Sequence, residues 1–102
     1  MTHITPFFTT VCDTTLLLSV RTDLIARTLD PMLDEGRYDQ ANALIISWPI
    51  DQCDTDVLLY LLSHTKDKAE HLTDREDLFI KVRDKLIKEA LANVETSLKY
   101  MH

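Results

Sequence analysis

An all-α fold is the class this sequence predicts, on three observations. The 102 residues include one glycine, Gly36, and three prolines, Pro6, Pro31 and Pro49, which leaves little material for hairpin turns. Several stretches carry apolar stripes at helical spacing or helix-capping residues. Apolar residues at 45% and charged residues at 27% are ordinary for a folded globular chain and argue against disorder. Together they predict a single domain over residues 1–102, a bundle of four or five helices around one core, with a long C-terminal helix.

Residues 1–12 are rich in threonine and aromatics and show no helical stripe. They read as an N-terminal arm whose Phe7, Phe8 and Val11 dock on the helices, with two alternatives: one turn opened by Thr5–Pro6, or a strand pairing FFTTV with LLLSV. Asp13 is a good N-cap for a helix running to about Leu29, with Leu16, Leu17, Leu18, Val20, Leu24, Ile25 and Leu29 covering more than half its circumference. Asp30–Pro31 then re-caps the chain for a short segment that Gly36 ends in the left-handed conformation. The next helix spans Tyr38 to Trp48, with Ala41, Leu44, Ile45 and Trp48 inward and Pro49 as its stop. The stretch LDEGRYDQANALI between these elements occurs once and reads as a generic helical hairpin.

Asp51 to Asp56 forms an acidic link, and Asp54 or Thr55 caps a helix to about His64. Val57 to Leu62 is apolar all round, which marks the most central helix, with a buried strand as the alternative for so short a run. Lys66 to Leu72 reads as a polar, mobile link. Thr73-Asp74-Arg75-Glu76 is a capping box that opens the last helix, about Asp74 to Met101 and roughly 40 Å long. One half of that helix is apolar: Phe79, Val82, Leu86, Ile87, Ala90, Leu91, Val94, Leu98 and Met101. The other half is charged, with Asp84–Lys88 and Glu95–Lys99 at pairing distance. The apolar half is wider than one neighbouring helix covers, so either it lies across a two-helix layer of its own chain, the simpler reading, or part of it is a partner interface, with a homodimer as one outcome.

The net charge of −6 is confined to one stretch. Seven carboxylates lie between Asp30 and Asp56 (Asp30, Asp34, Glu35, Asp39, Asp51, Asp54, Asp56) against Arg37 alone, while the flanking sequences balance. Such a local field attracts a basic protein surface and repels nucleic acid. Two arginines break the apolar pattern, Arg21 and Arg83. Each must find a carboxylate, reach water or face a partner, and an ion pair with an aspartate of the acidic link is the simplest solution.

Catalytic signals are weak. His64, Asp67, Glu70 and His71 have metal-ligand spacing but sit among lysines in an aperiodic stretch without cysteine. Asp51, Asp54 and Asp56 lack the glycine and closing glutamate of a calcium loop. Cys12, Ser19, Ser47 and Ser63 lack a nucleophile-elbow context. No metal or cofactor is implied. Cys12 and Cys53 stand in no recognised spacing and read as reduced thiols. With no leader-like N-terminus and no apolar run long enough to span a bilayer, the expected location is the cytoplasm, with no membrane partner.

The expected function is therefore that of a small acidic protein-binding module: an inhibitor, adaptor or chaperone-like protein. Small proteins of this character are common among phage and mobile-element inhibitors. The expected partner is another protein with a basic surface, met through Asp34, Glu35, Asp39, Asp51, Asp54 and Asp56 or through Arg83, Val94 and Leu98 of the last helix. Three other classes stand beside it: a DNA-mimic inhibitor of a nucleic-acid-binding protein, a metal- or thiol-dependent enzyme, and a helix-turn-helix regulator. Acidic residues interleaved with Lys81, Arg83, Lys85 and Lys88 disfavour direct nucleic-acid binding.

Overall fold

The computed structural model of the chain describes residues 4–100, with side chains from Pro6 to Tyr100. Five α-helices follow one another: α1 (Ile4–Val11), α2 (Leu18–Asp34), α3 (Tyr38–Ile46), α4 (Thr55–His64) and α5 (Arg75–Tyr100). Two 3-10 segments, Ile50–Gln52 and Lys66–His71, connect α3 to α4 and α4 to α5. No strand occurs among the described residues, so the all-α bundle with a long C-terminal helix holds.

The N-terminal segment is helical rather than extended. Residues 1–3 of the expected arm lie outside the described residues, and from Ile4 the chain forms α1. Pro6 sits in its first turn, where amides have no intrahelical acceptor and a missing N–H is harmless. The docking of this segment is as expected. Val11 is buried, while Phe7 and Phe8 pack edge-on against Trp48 at centroid distances of 5.6 and 5.3 Å. The indole Nε1 of Trp48 is buried there with no hydrogen-bond partner among the described residues.

Helix α2 starts later than the sequence suggests. The Asp13 carboxylate accepts the Thr15 N–H at 3.0 Å and the Thr15 hydroxyl at 2.6 Å, forming a local turn instead of a helix cap. Those bonds hold its carboxyl below the usual carboxylate range. The helix begins after Leu17, so Leu16, Leu17, Leu18 and Val20 face water. The inward row is Arg21, Ile25, Leu29 and Leu33, spaced by four.

Nor does Asp30–Pro31 interrupt α2, which continues through Pro31 to Asp34. Asp30 is occupied by His64 Nε2 at 2.6 Å and does not cap. An interior proline costs about 3 kcal/mol. Continuing the helix buries Leu33 and part of Met32, and a fully buried side chain of that size is worth about 1.5–3 kcal/mol. The helix then closes in a Schellman motif: Arg37 N–H donates to Met32 C=O at 2.7 Å and Gly36 N–H to Leu33 C=O at 3.3 Å. Gly36 has φ +72°, and a Cβ there would meet nothing nearer than Tyr38 at 4.0 Å. Gly36→Ala should therefore destabilise by backbone conformation alone, about 1–2 kcal/mol in urea unfolding. A larger loss would mean a steric clash that the geometry does not contain.

Helix α3 presents Ala41, Leu44 and Ile45 inward, and buried Trp48 follows before Pro49, as the sequence indicates. Helix α4 packs against both α2 and α5 and is central, although only Val57, Leu58, Leu61 and Leu62 are buried; Leu59 is exposed and Tyr60 half-buried. The link after it is structured. It runs as a 3-10 segment kinked at Lys68 and ends in Leu72, a buried core residue. The expected capping box does not form: α5 begins at Arg75, and the Asp74 N–H donates to Asn42 Oδ1 at 3.2 Å.

One correction concerns the cysteines. Cys12 and Cys53 form a disulfide, with Cα atoms 4.6 Å apart across a separation of 41 residues. The expectation of reduced thiols fails because folding brings together the end of α1 and the segment before α4, which sequence spacing does not show. Disulfides persist in oxidising compartments. The thiols therefore no longer argue for a cytoplasmic protein. No helix among the described residues is long and apolar enough to cross a membrane.

Candidate interaction surface

Helix α5 is held to the bundle only along its first half. Arg75 donates to Leu62 C=O at 2.6 Å and to Thr65 Oγ1 at 3.0 Å, and that buried threonine in turn donates to Leu61 C=O. Leu78 and Val82 are the buried residues of the helix. Lys85, one of the basic cluster Lys81, Arg83, Lys85 and Lys88, reaches inward and donates to the Ile50 and Cys53 carbonyls. Glu89 accepts the Thr55 hydroxyl at 2.9 and 3.1 Å. Beyond Glu89 no hydrogen bond or ion pair joins α5 to the bundle among the described residues.

The remainder projects. The radius of gyration is 15.5 Å, whereas a compact domain of this size has about 13 Å. The long axis measures 57 Å against 30 and 24 Å for the others. Ile87, on the exposed face just before Glu89, and Leu91, Val94 and Leu98 along the projection are 50%, 57%, 53% and 54% exposed. Val94 and Leu98 are thus placed on a continuous, uncovered apolar stripe. Met101, assigned to the same face, lies outside the described residues.

Arg83 follows directly after the last buried position, Val82, and is exposed. It approaches Asp84 at 3.6 Å and reaches no aspartate of the acidic link. Arg21 does form the predicted pair: Nη1 lies 2.6 Å from Asp54 Oδ1, with the arginine buried. The Asp84–Lys88 and Glu95–Lys99 pairs do not close. Asp77–Lys81 does, at 3.0 Å.

The acidic residues divide into two clusters at opposite ends of α3. Asp34, Glu35 and Asp39 surround its start, and Asp51, Asp54 and Asp56 follow its end; nine helical residues, about 13 Å, separate them. Asp34, Asp39, Asp51 and Asp56 are exposed and enter no ion pair among the described residues. Glu35 pairs with Arg37, while Asp54 is drawn to Arg21 and makes no side-chain cap for α4.

The metal-type residues are directed to separate partners. His64 binds Asp30, whereas His71 stacks on Tyr38 at 4.3 Å and approaches Glu70 at 3.4 Å. No group of three or more ligand-type side chains converges among the described residues. A chain the sequence did not reveal runs Asp30–His64–Tyr60, with the Tyr60 hydroxyl 3.4 Å from His64 Nδ1. Burial, with the negative charges of Asp30 and Asp23, pushes the Tyr60 hydroxyl up from its ordinary value. Through the His64–Asp30 contact this chain ties α4 to α2. Its signal was available only as the four-residue spacing of Tyr60 and His64 on one helix.

No protein-family model matches the chain, and no curated protein or solved structure matches it significantly.

Proposed function

We propose that the protein is a small acidic protein-binding module whose recognition element is the projecting half of α5. The observation that supports this reading is the uncovered stripe of Ile87, Leu91, Val94 and Leu98, all about half exposed on a helix that has left its bundle. Isolated helices shorter than about 12–15 residues are marginal in water, and most helical stability comes from packing an apolar face. Residues 90–100 have no such packing within the chain, so a partner that covers the stripe stabilises the helix as it binds.

The four exposed, unpaired aspartates favour a second contribution. They act as charges around an apolar contact do, accelerating association with a basic surface and disfavouring acidic ones. The disulfide supports a working environment that is oxidising, in place of the cytoplasm.

The test compares three baits from the host: wild type, Val94→Glu, and the Asp34→Lys, Glu35→Lys, Asp39→Lys triple variant. Retained proteins are identified by mass spectrometry. A protein lost on Val94→Glu and kept, with slower association at low salt, on the triple reversal is the expected result. All substituted sites are exposed, so each substitution should change stability by less than about 0.5 kcal/mol. Loss on the triple reversal alone moves recognition to the acidic clusters. Identical retention by all three baits overturns both assignments.

A further inference from the structure

We infer that the occupant of the stripe is a second copy of the chain laid antiparallel, with Lys88 of each copy against Glu95 of the other. This rests on reading the projecting half of α5 as a binding surface. The apolar positions Ile87, Leu91, Val94 and Leu98 are spaced four, three and four, the spacing of a two-helix seam. At about 100° per residue the seam lies roughly 140° around α5 from Val82, the residue that faces the bundle. A second helix on that side therefore meets only α5. Asp84 occupies the next seam position upstream and ends the apolar run there. The seam from Ile87 to Leu98 is about 17 Å long.

Charge selects the occupant and its direction. With Leu91 beside Val94 of the other copy, Ile87 falls beside Leu98, and two-fold symmetry generates four apolar layers. In that same register Lys88 meets Glu95 twice, once on each side of the axis, and Ala90 meets Ser97, two small residues that let the helices approach. A parallel pair would instead set Arg83 against Lys88 twice, since those positions flank a parallel seam five residues apart. Neither Lys88 nor Glu95 enters a hydrogen bond or ion pair among the described residues, so both are available to the second copy. Two-fold pairing also makes the surface self-complementary, because each copy supplies one lysine and one glutamate to the same contact.

Sedimentation equilibrium at low salt on wild type, Lys88→Glu, Glu95→Lys and the double exchange tests this. Wild type should be a concentration-dependent dimer. Each single reversal should raise the dissociation constant several-fold, and the double exchange should recover most of that loss. Within one helix Lys88→Glu sets a like charge beside Asp84, and Glu95→Lys sets one beside Lys99. Both contacts are at i,i+4 and unfavourable, so recovery arises only across the interface. Tighter association of Lys88→Glu would overturn the antiparallel arrangement in favour of a parallel one, where the introduced carboxylate meets Arg83. Failure of the exchange to recover would overturn the register. A monomer at every concentration overturns the second copy as occupant, and the broader reading then stands or falls on whether Val94→Glu still releases a captured partner. Helicity and unfolding midpoints of the bundle, measured on all four proteins, should agree, because both side chains are exposed.

Discussion

Asp54→Ala should destabilise the protein by about 3 kcal/mol, the lower end of the range for stripping a buried cation of its partner. Arg21 is 5% exposed, its Nη1 2.6 Å from Asp54 Oδ1. It also donates from Nε to Leu16 C=O at 3.2 Å and from Nη1 to Val11 C=O at 3.4 Å. Those carbonyls would still solvate part of the guanidinium in the variant, which is why the lower end applies. The charge itself would lose its paired carboxylate and keep only the weaker attraction of Asp13. Arg21→Met should cost less, because a buried pair replaced by apolar atoms of similar volume is often neutral, and the double variant should be more stable than Asp54→Ala alone. Urea unfolding of the four proteins gives the cycle. An Asp54→Ala loss under about 1 kcal/mol would remove the clamp from the account of this fold.

The same pair shows how far the sequence could be read. Arg21 was visible as a charge inside an apolar row, and its need for a carboxylate from the acidic link followed from desolvation alone. Arg83 gave the same signal and met a different fate, because the bundle ends at Val82 and leaves it in water. Nothing in the pattern of α5 marks where its neighbours stop. Its apolar half was legible as too wide for one helix, but which part stays uncovered depends on the lengths of α3 and α4.

Three helix caps were misread for one physical reason: residues that cap well in isolation found stronger side-chain partners, although α4 keeps its expected bounds, Thr55–His64, directly after Asp54. Asp13 closes a turn with Thr15, Asp30 holds His64, and Asp54 holds Arg21. Two of those three partners are more than thirty residues distant, beyond any local signal. Leu72 was misassigned with its polar neighbours because one leucine among charged residues carries no period. The Schellman close at Gly36, by contrast, needs only a glycine at the end of an apolar run, and it was legible.

Reduction of Cys12–Cys53 should lower the unfolding free energy by roughly 2–4 kcal/mol, with the upper figure near the chain-entropy value for a loop of this length. The bridge fixes the end of α1 to the segment that leads into α4, and Arg21 joins the same two segments through Val11 C=O and Asp54. Each is adjacent in sequence to one of the bonded cysteines, so the two constraints are coupled. In the reduced protein α1 keeps its apolar docking through Phe7, Phe8 and Val11 but loses its covalent tether. Asp54→Ala should then cost less than in the oxidised protein, because the freed α1 can move and let water reach the unpaired guanidinium. The Cys12→Ala, Cys53→Ala variant should unfold at the same urea concentration with or without reductant, while wild type should shift. Superimposable wild-type curves in the two conditions would show that the bridge contributes nothing to stability. Equal Asp54→Ala losses in the oxidised and reduced proteins would show that α1 stays seated without its tether, held by the apolar docking of Phe7, Phe8 and Val11.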